Sequence, residues 1–372
     1  MKRMKKILAA MLIATMAVST CFVSFAAIAE NNEGMSEVEF KKTFVATNSN
    51  ATNSAETFKF TVERESFNNS GYNDLDSVPM VTWPDTNKDD EGKLTISFAK
   101  DEVTGEDATT DTNSVTLTIP DYKYVGVYTY KITENAGTTA GVNYDTTPMY
   151  LQVTVTNKLN ANGELETNQA GEYILTRSAV LYYGNKTANN KTDNIKNSYD
   201  AGQLSITKDV TGNLGDTSKY FTVKVTLTGE TGKTYNTGDM VISGGSASNN
   251  PTSVTMGQEM LFELRDGDTI SITNIPYGVK YKVEEENYTG DNDGYEAAKY
   301  TLTDGSSVGQ TTTTAISDAE LDNDSEKVAI ENSKQKDVDT GISLDSAPYL
   351  LLLAFAAMGV FAVAAKKREE EF

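Results

Sequence analysis

The feature that most limits how this chain can fold is a series of short segments in which β-branched and aromatic residues alternate with polar ones. "TFKFTVER", "KLTISFA", "SVTLTIP", "YLQVTVTN", "EYILTRSAVLYY", "KYFTVKVTL" and "DTISITNI" recur between clusters of Gly, Asn, Asp and Ser. A period of two places alternate side chains on one face of a strand, and there is little helical periodicity between them. Short strands separated by turn signals predict antiparallel β-sandwiches. The region between the two chain ends, about 310 residues, is too long for one small sandwich. The expected class is therefore all-β, with two sandwich domains in tandem.

An internal repeat supports that division. The first half opens with "VEFKKTF" and closes with "NIKNS"; the second opens with "LSITKDV" and closes with "AIENS". Between those ends lie "YKITE" (130–134) and "YKVEE" (281–285). A lysine, a glutamate and an asparagine thus recur in one order: Lys42, Glu134, Asn197, then Lys208, Glu285, Asn332. The halves meet at "SYDAGQ", residues 198–203. Alternation puts Lys42 on the face of Val38 and Phe40, and Lys208 on that of Leu204 and Ile206. Glu134 follows Tyr130 and Ile132, Glu285 follows Tyr281 and Val283, Asn197 follows Ile195, and Asn332 follows Val328 and Ile330. Each half aims an amine, a carboxyl and a carboxamide at its own core. Lys41 beside Lys42, and Glu284 and Glu286 beside Glu285, leave one-residue shifts of register open. A snorkelling lysine with a glutamate at the strand end is the structural alternative.

Buried and unpaired, such groups respond by neutralising: desolvation lowers a lysine pKa and raises a glutamate pKa. A neutral amine is a nucleophile, and an asparagine carboxamide can lose ammonia. Held together, the three can form a Lys–Asn isopeptide bond, with the glutamate polarising the carbonyl and relaying protons. The reaction would occur once per site, so the chain is not read as an enzyme.

Composition removes other classes. Residues 30–341 carry 25 Lys and Arg against 49 Asp and Glu, a net of −24, which repels nucleic acid and anionic lipid. There is no histidine, which rules out Ser-His and Cys-His catalytic sets and argues against zinc sites. No phosphate loop is apparent, and no cofactor or metal is expected. "DTNKDDEG" (Asp85 to Gly92) begins like a calcium loop, but Asp90 stands at the required glycine and Ile96 at the closing carboxylate. An acidic solvated turn is the better reading. Trp83 and the tyrosines read as core and sheet-face residues.

The two triads, with "GVYTYKITE", "GVNYDTT", "FELRDGDTISITNIPYGVKYKVEE" and "IKNS", resemble the isopeptide-forming backbone pilins of Gram-positive bacteria, the streptococcal two-domain type in particular. The resemblance spans residues 36 to 341. It implies immunoglobulin-like (Cna-B type) sandwiches at 30–198 and 199–334, each with a bond between its first and last strands. The links implied are Lys42–Asn197, assisted by Glu134, and Lys208–Asn332, assisted by Glu285.

The chain ends fit that resemblance. Residues 1–29 have a basic start, an apolar middle and a small-residue ending, which predicts a secretory signal cleaved after Ala29. The single cysteine, Cys21, lies inside it, so the exported chain cannot use disulfides. Residues 335–372 read as a cell-wall sorting signal: "VDTG", an apolar stretch at 347–365, then "KKREEEF". A sortase would cut between Thr340 and Gly341, although Asp339 replaces the expected proline. The stretch "YYGNKTANNKTDNIKN" offers Lys186, Lys191 and Lys196 as the amine that receives the next subunit. The resemblance implies Lys191. Expected partners are identical pilin subunits, sortase, and peptidoglycan or a basal pilin, with a host surface as a further partner. The expected location is the cell wall and fimbrium, after a transient membrane-anchored precursor. The alternative is a monomeric wall- or membrane-anchored adhesin that uses the same domains to bind a host ligand.

Overall fold

The computed structural model describes residues 32–48, 51–69, 71–100, 110–290 and 293–336, together with Leu353. The expected signal (1–29), Thr340, Gly341 and the rest of the sorting segment from 337 lie outside these, Leu353 apart. Among the described residues no helix is long and apolar enough to cross a membrane.

The expectation of an all-β chain holds. The first half forms β1 (Glu33–Gly34), β2 (Glu37–Ala46), β3 (Glu56–Asn69), β4 (Leu94–Phe98) and β5 (Thr110–Thr118). It continues with β6 (Gly126–Asn135), β7 (Val142–Asn143), β8 (Met149–Asn157), β9 (Leu175–Tyr183) and β10 (Asn194–Tyr199). The second half forms β11 (Ala201–Thr211), β12 (Phe221–Thr228), β13 (Val241–Gly244), β14 (Glu259–Leu264) and β15 (Thr269–Pro276). It ends with β16 (Lys280–Glu285), β17 (Lys299–Asp304), β18 (Ser307–Val308), β19 (Ile316–Glu320) and β20 (Ser325–Ser333).

In the first half a six-stranded sheet, β1-β9-β8-β6-β3-β4, faces a four-stranded one, β5-β2-β10-β7. In the second, β13-β15-β11-β20-β17-β18 faces β14-β12-β16-β19. The alternating apolar residues of each strand meet between the two layers. Phe40 of β2 meets Phe60 of β3 edge-on, with ring centroids 5.1 Å apart, and Phe44 packs the same way on Phe58. Leu204 and Ile206 share one core with Val223 and Val225 from the opposite sheet.

Two strand pairs position the functional groups. β2 and β10 run parallel and in register, Lys42 opposite Ile195 and Phe44 opposite Asn197. β11 and β20 repeat this, Lys208 opposite Ile330 and Val210 opposite Asn332. In both, the asparagine lies two positions beyond the residue opposite the lysine, on the same face. The halves join through Asp200, whose N–H donates to Gly141 O at 2.8 Å. Gly141 sits at φ +78°, where a Cβ would lie 2.6 Å from Asp200 O. Gly232 has a similar φ of +86° but open space around it. Replacing each with alanine separates the two effects. Gly232→Ala should cost about 1–2 kcal/mol from backbone strain alone. Gly141→Ala should cost measurably more in urea unfolding, because the junction must also move apart.

Candidate functional site

The first set is dry. Lys42 on β2 is fully buried, Glu134 on β6 is 1% exposed and Asn197 on β10 is 2% exposed. Lys42 and Asn197 belong to the four-stranded sheet, and the carboxyl reaches them from the facing sheet. Lys42 Nζ donates to Glu134 Oε2 at 2.7 Å. Asn197 Nδ2 donates to Glu134 Oε1, and Asn197 Oδ1 accepts from the backbone N–H of Asp145 at 3.0 Å. The amine lies 4.6 Å from the centre of the Phe58 ring.

The second set exchanges the layers. Lys208 on β11 and Asn332 on β20 sit in the six-stranded sheet, and Glu285 comes from β16 opposite. Lys208 is fully buried, and Asn332 and Glu285 are buried. Lys208 Nζ donates to Asn332 Oδ1, lies 3.5 Å from Glu285 Oε2 and stands 4.3 Å from the centre of the Phe221 ring. The backbone N–H of Glu285 donates to the Tyr300 hydroxyl at 2.8 Å. The structure thus brings each lysine, glutamate and asparagine together, with an aromatic ring against each amine.

Burial governs the protonation of all four ionisable groups. It pushes Lys42 down from 10.5 to about 8, against the pull of the Glu134 charge and hydrogen bond. It lowers Lys208 likewise, against Glu285. Desolvation raises Glu134 and Glu285 above the usual carboxylate range and outweighs their lysine partners. These directions favour the uncharged amine and the uncharged acid, the forms needed for attack on an amide and for proton transfer to its nitrogen.

The two sites use the carboxamide differently. The sequence reading assigns the glutamate to the amide carbonyl. In the first set the carboxyl instead holds the amide nitrogen, and the carbonyl goes to Asp145. Asp145 follows β7 in the stretch "GVNYDTT", and nothing in strand alternation marks a backbone donor there. Phe58 and Phe221 were equally hidden, because each reads as an ordinary core position.

Of the three candidate acceptor lysines, Lys186 and Lys196 are exposed and Lys191 is half-buried. Lys191 forms an isolated bridge with Tyr182, and the next residue, Thr192, donates to Leu181 O at 3.2 Å. That pairing draws the backbone of the expected open loop against β9. Thr340 and Gly341 lie outside the described residues. In the acidic turn, Asp85 pairs with Lys88 at 2.7 Å. The carboxylates of Asp304, Asp322 and Glu326 approach within 4.8 Å of one another, and Glu326 is engaged by the Tyr281 hydroxyl.

Facing β-sheets enclosing an amine, an acid and an amide define the class as sandwich proteins with buried cross-strand Lys–Asn pairs. Comparison with known proteins narrows it. Residues 38–200 match the Spy0128-like isopeptide containing domain, and residues 202–334 match a domain of unknown function, DUF7601. A pilin of Streptococcus pyogenes serotype M1 is 29% identical over 364 residues, covering 92% of this chain and 95% of that protein. The crystal structure of the major pilin from Streptococcus pyogenes aligns at 24% identity and a TM-score of 0.49, over 82% of this chain and all of that one. A second Streptococcus pyogenes major pilin (T3.2) aligns at 23% and 0.46, over 83% of this chain and all of that one. The chain is thus similar to a streptococcal pilin over nearly its whole length, and its first half matches an isopeptide-containing domain.

The buried pairs generate a direct test. Glu285→Ala strands the Lys208 amine against Phe221 without its acid, and should destabilise the second sandwich by about 3–5 kcal/mol. Adding Lys208→Met should recover only the part of that loss owed to the stranded buried amine, and any part owed to a missing Lys208–Asn332 link should remain. Urea titration followed by circular dichroism measures both.

Proposed function

We propose that the chain is the backbone subunit of a covalent surface pilus, and that each sandwich is braced by a Lys–Asn isopeptide bond. Lys42 joins Asn197 with Glu134 assisting, and Lys208 joins Asn332 with Glu285 assisting. One observation carries this reading: the same three groups meet in a dry core twice, with the same two-position offset between parallel strands. The amine nitrogen attacks the asparagine Cγ, the Cγ–Nδ2 bond breaks and ammonia leaves. The glutamic acid takes a proton from the attacking nitrogen and returns one to the departing nitrogen. The groups are held in place by folding, which supplies much of the rate. The product is a cross-link, so the role is structural.

Between subunits, a sortase cleaves after Thr340 and joins its carboxyl to Lys191 of the next copy, with Lys186 and Lys196 as the neighbouring amines. The last subunit passes to peptidoglycan or a basal pilin. This places the subunit outside the cell, in keeping with its relation to a streptococcal pilin.

These bonds set the route of tension. Force that enters at Lys191 runs along β10, which the Lys42–Asn197 bond fastens to β2. It then passes through Asp200 into β11, crosses Lys208–Asn332 and leaves toward Thr340. Nearly all of the second sandwich lies off that path. Pulled between positions 191 and 336 in single-molecule force spectroscopy, the wild-type second sandwich should release little length. Glu285→Ala should release roughly 40 nm when it unfolds. Full extension of the wild type would contradict the bypass.

The test of the whole reading is made on the native cell surface. Denaturing gels of surface extracts should show a covalent ladder that collapses to monomer in Lys191→Ala. A ladder that persists in Lys191→Ala but collapses in Lys186→Ala or Lys196→Ala moves the acceptor to that lysine. A single monomer band in the wild type, with host-protein binding, would favour the adhesin.

A further inference from the structure

We infer that the backbone N–H of Asp145 is the oxyanion donor of the first bond-forming site, and that the Asp145 side chain and Tyr183 hold it in position. The inference rests on the isopeptide reading and adds the group that receives negative charge during the reaction. As Lys42 Nζ bonds to Asn197 Cγ, the π electrons of the carboxamide shift onto Oδ1. That oxygen already faces the Asp145 N–H at 3.0 Å. Glu134 is occupied elsewhere, holding the amine with one oxygen and the leaving Nδ2 with the other. The division of labour is complete: the acid moves protons between two nitrogens, and a fixed peptide dipole stabilises the oxygen. When the tetrahedral centre collapses, the electrons return from Oδ1, the Cγ–Nδ2 bond breaks and Nδ2 departs as ammonia with the proton from Glu134.

The donor is aimed by its own side chain. Asp145 lies between β7 and β8, and its Oδ1 accepts from the Thr147 N–H at 3.0 Å. Its Oδ2 accepts from the Tyr183 hydroxyl on β9 at 2.6 Å. Burial opposes ionisation of this carboxyl, but the bonds from Tyr183 and Thr147, with the Lys42 charge, hold it below the usual carboxylate range. The loop is therefore tied to a strand of the six-stranded sheet while its N–H points at a residue of the four-stranded one. Asp145, Tyr183 and Asn197 also line an open cleft of about 540 Å³, which gives ammonia an exit. In the second site the carbonyl is held differently: Asn332 Oδ1 accepts from the Lys208 amine itself.

The N–H can be removed without altering the side chain, by replacing residue 145 with malic acid, the α-hydroxy analogue of aspartate, during in vitro translation of the exported chain. Loss of ammonia is then timed by mass spectrometry of the cross-linked peptides, with the second sandwich as an internal clock. The Lys42–Asn197 bond should form about 10²-fold more slowly, with Lys208–Asn332 unchanged. Equal first-site rates for ester and amide overturn the inference. Absence of both cross-links from the unmodified chain overturns the isopeptide reading instead. If the ester chain does not fold, Tyr183→Phe decides. It should slow the first bond about tenfold through misplacement of the loop, with the melting temperature of a non-linking Asn197→Ala background little changed. A wild-type rate in that variant defeats the inference.

Discussion

In each sandwich a lysine amine that cannot reach water is set against an acid that cannot reach water either. Neither Lys42 nor Lys208 has any exposed surface. Two ions buried face to face gain attraction but lose hydration, and the balance is commonly unfavourable. Here desolvation acts on both partners in the direction of neutrality, the amines downward and the acids upward. A pair that would weaken an ordinary core is, in the proposed reaction, the reactive state beside the amide it holds. In the proposed reaction, loss of ammonia would make the arrangement irreversible and leave a neutral amide where a charged pair would have stood.

Everything around the sites maintains that dryness and that alignment. The parallel pairing of β2 with β10 and of β11 with β20 brings sequence-distant residues to one face at a fixed offset. The facing sheet supplies the acid from above, and Phe58 or Phe221 packs against the amine. Because each lysine and its asparagine sit near the two ends of their sandwich's sequence, one such bond would close almost the whole domain. A chain whose only cysteine lies in its expected leader would gain, from the proposed bonds, the covalent bracing that disulfides give many exported proteins.

Much of this was legible in the sequence, for an identifiable reason. Strand alternation is a local property with a period of two, so the inward parity of Lys42, Glu134 and Asn197 followed once Phe40, Ile132 and Ile195 were taken as core. The all-β class followed from the same signal. The internal repeat supplied what parity alone does not, the order of the groups and their correspondence between halves. What stayed hidden is set by tertiary structure. The Asp145 N–H belongs to a loop whose position depends on Tyr183 from another strand. The different orientations of Asn197 and Asn332 depend on which donor each oxygen finds. The partial burial of Lys191 comes from pairing with Tyr182, although its neighbours Asn189, Asn190 and Asp193 read as an open loop.

Three uncharged groups either react in each of the two cores or remain three separate side chains. The most direct measurement is the intact mass of the folded exported chain, residues 30–340, prepared without sortase, followed by mapping of the proteolytic peptides. The account requires a mass short of the sequence value by two ammonia molecules, with Lys42 joined to Asn197 and Lys208 joined to Asn332. A folded protein at the full sequence mass, with all four side chains recovered unmodified, would contradict it.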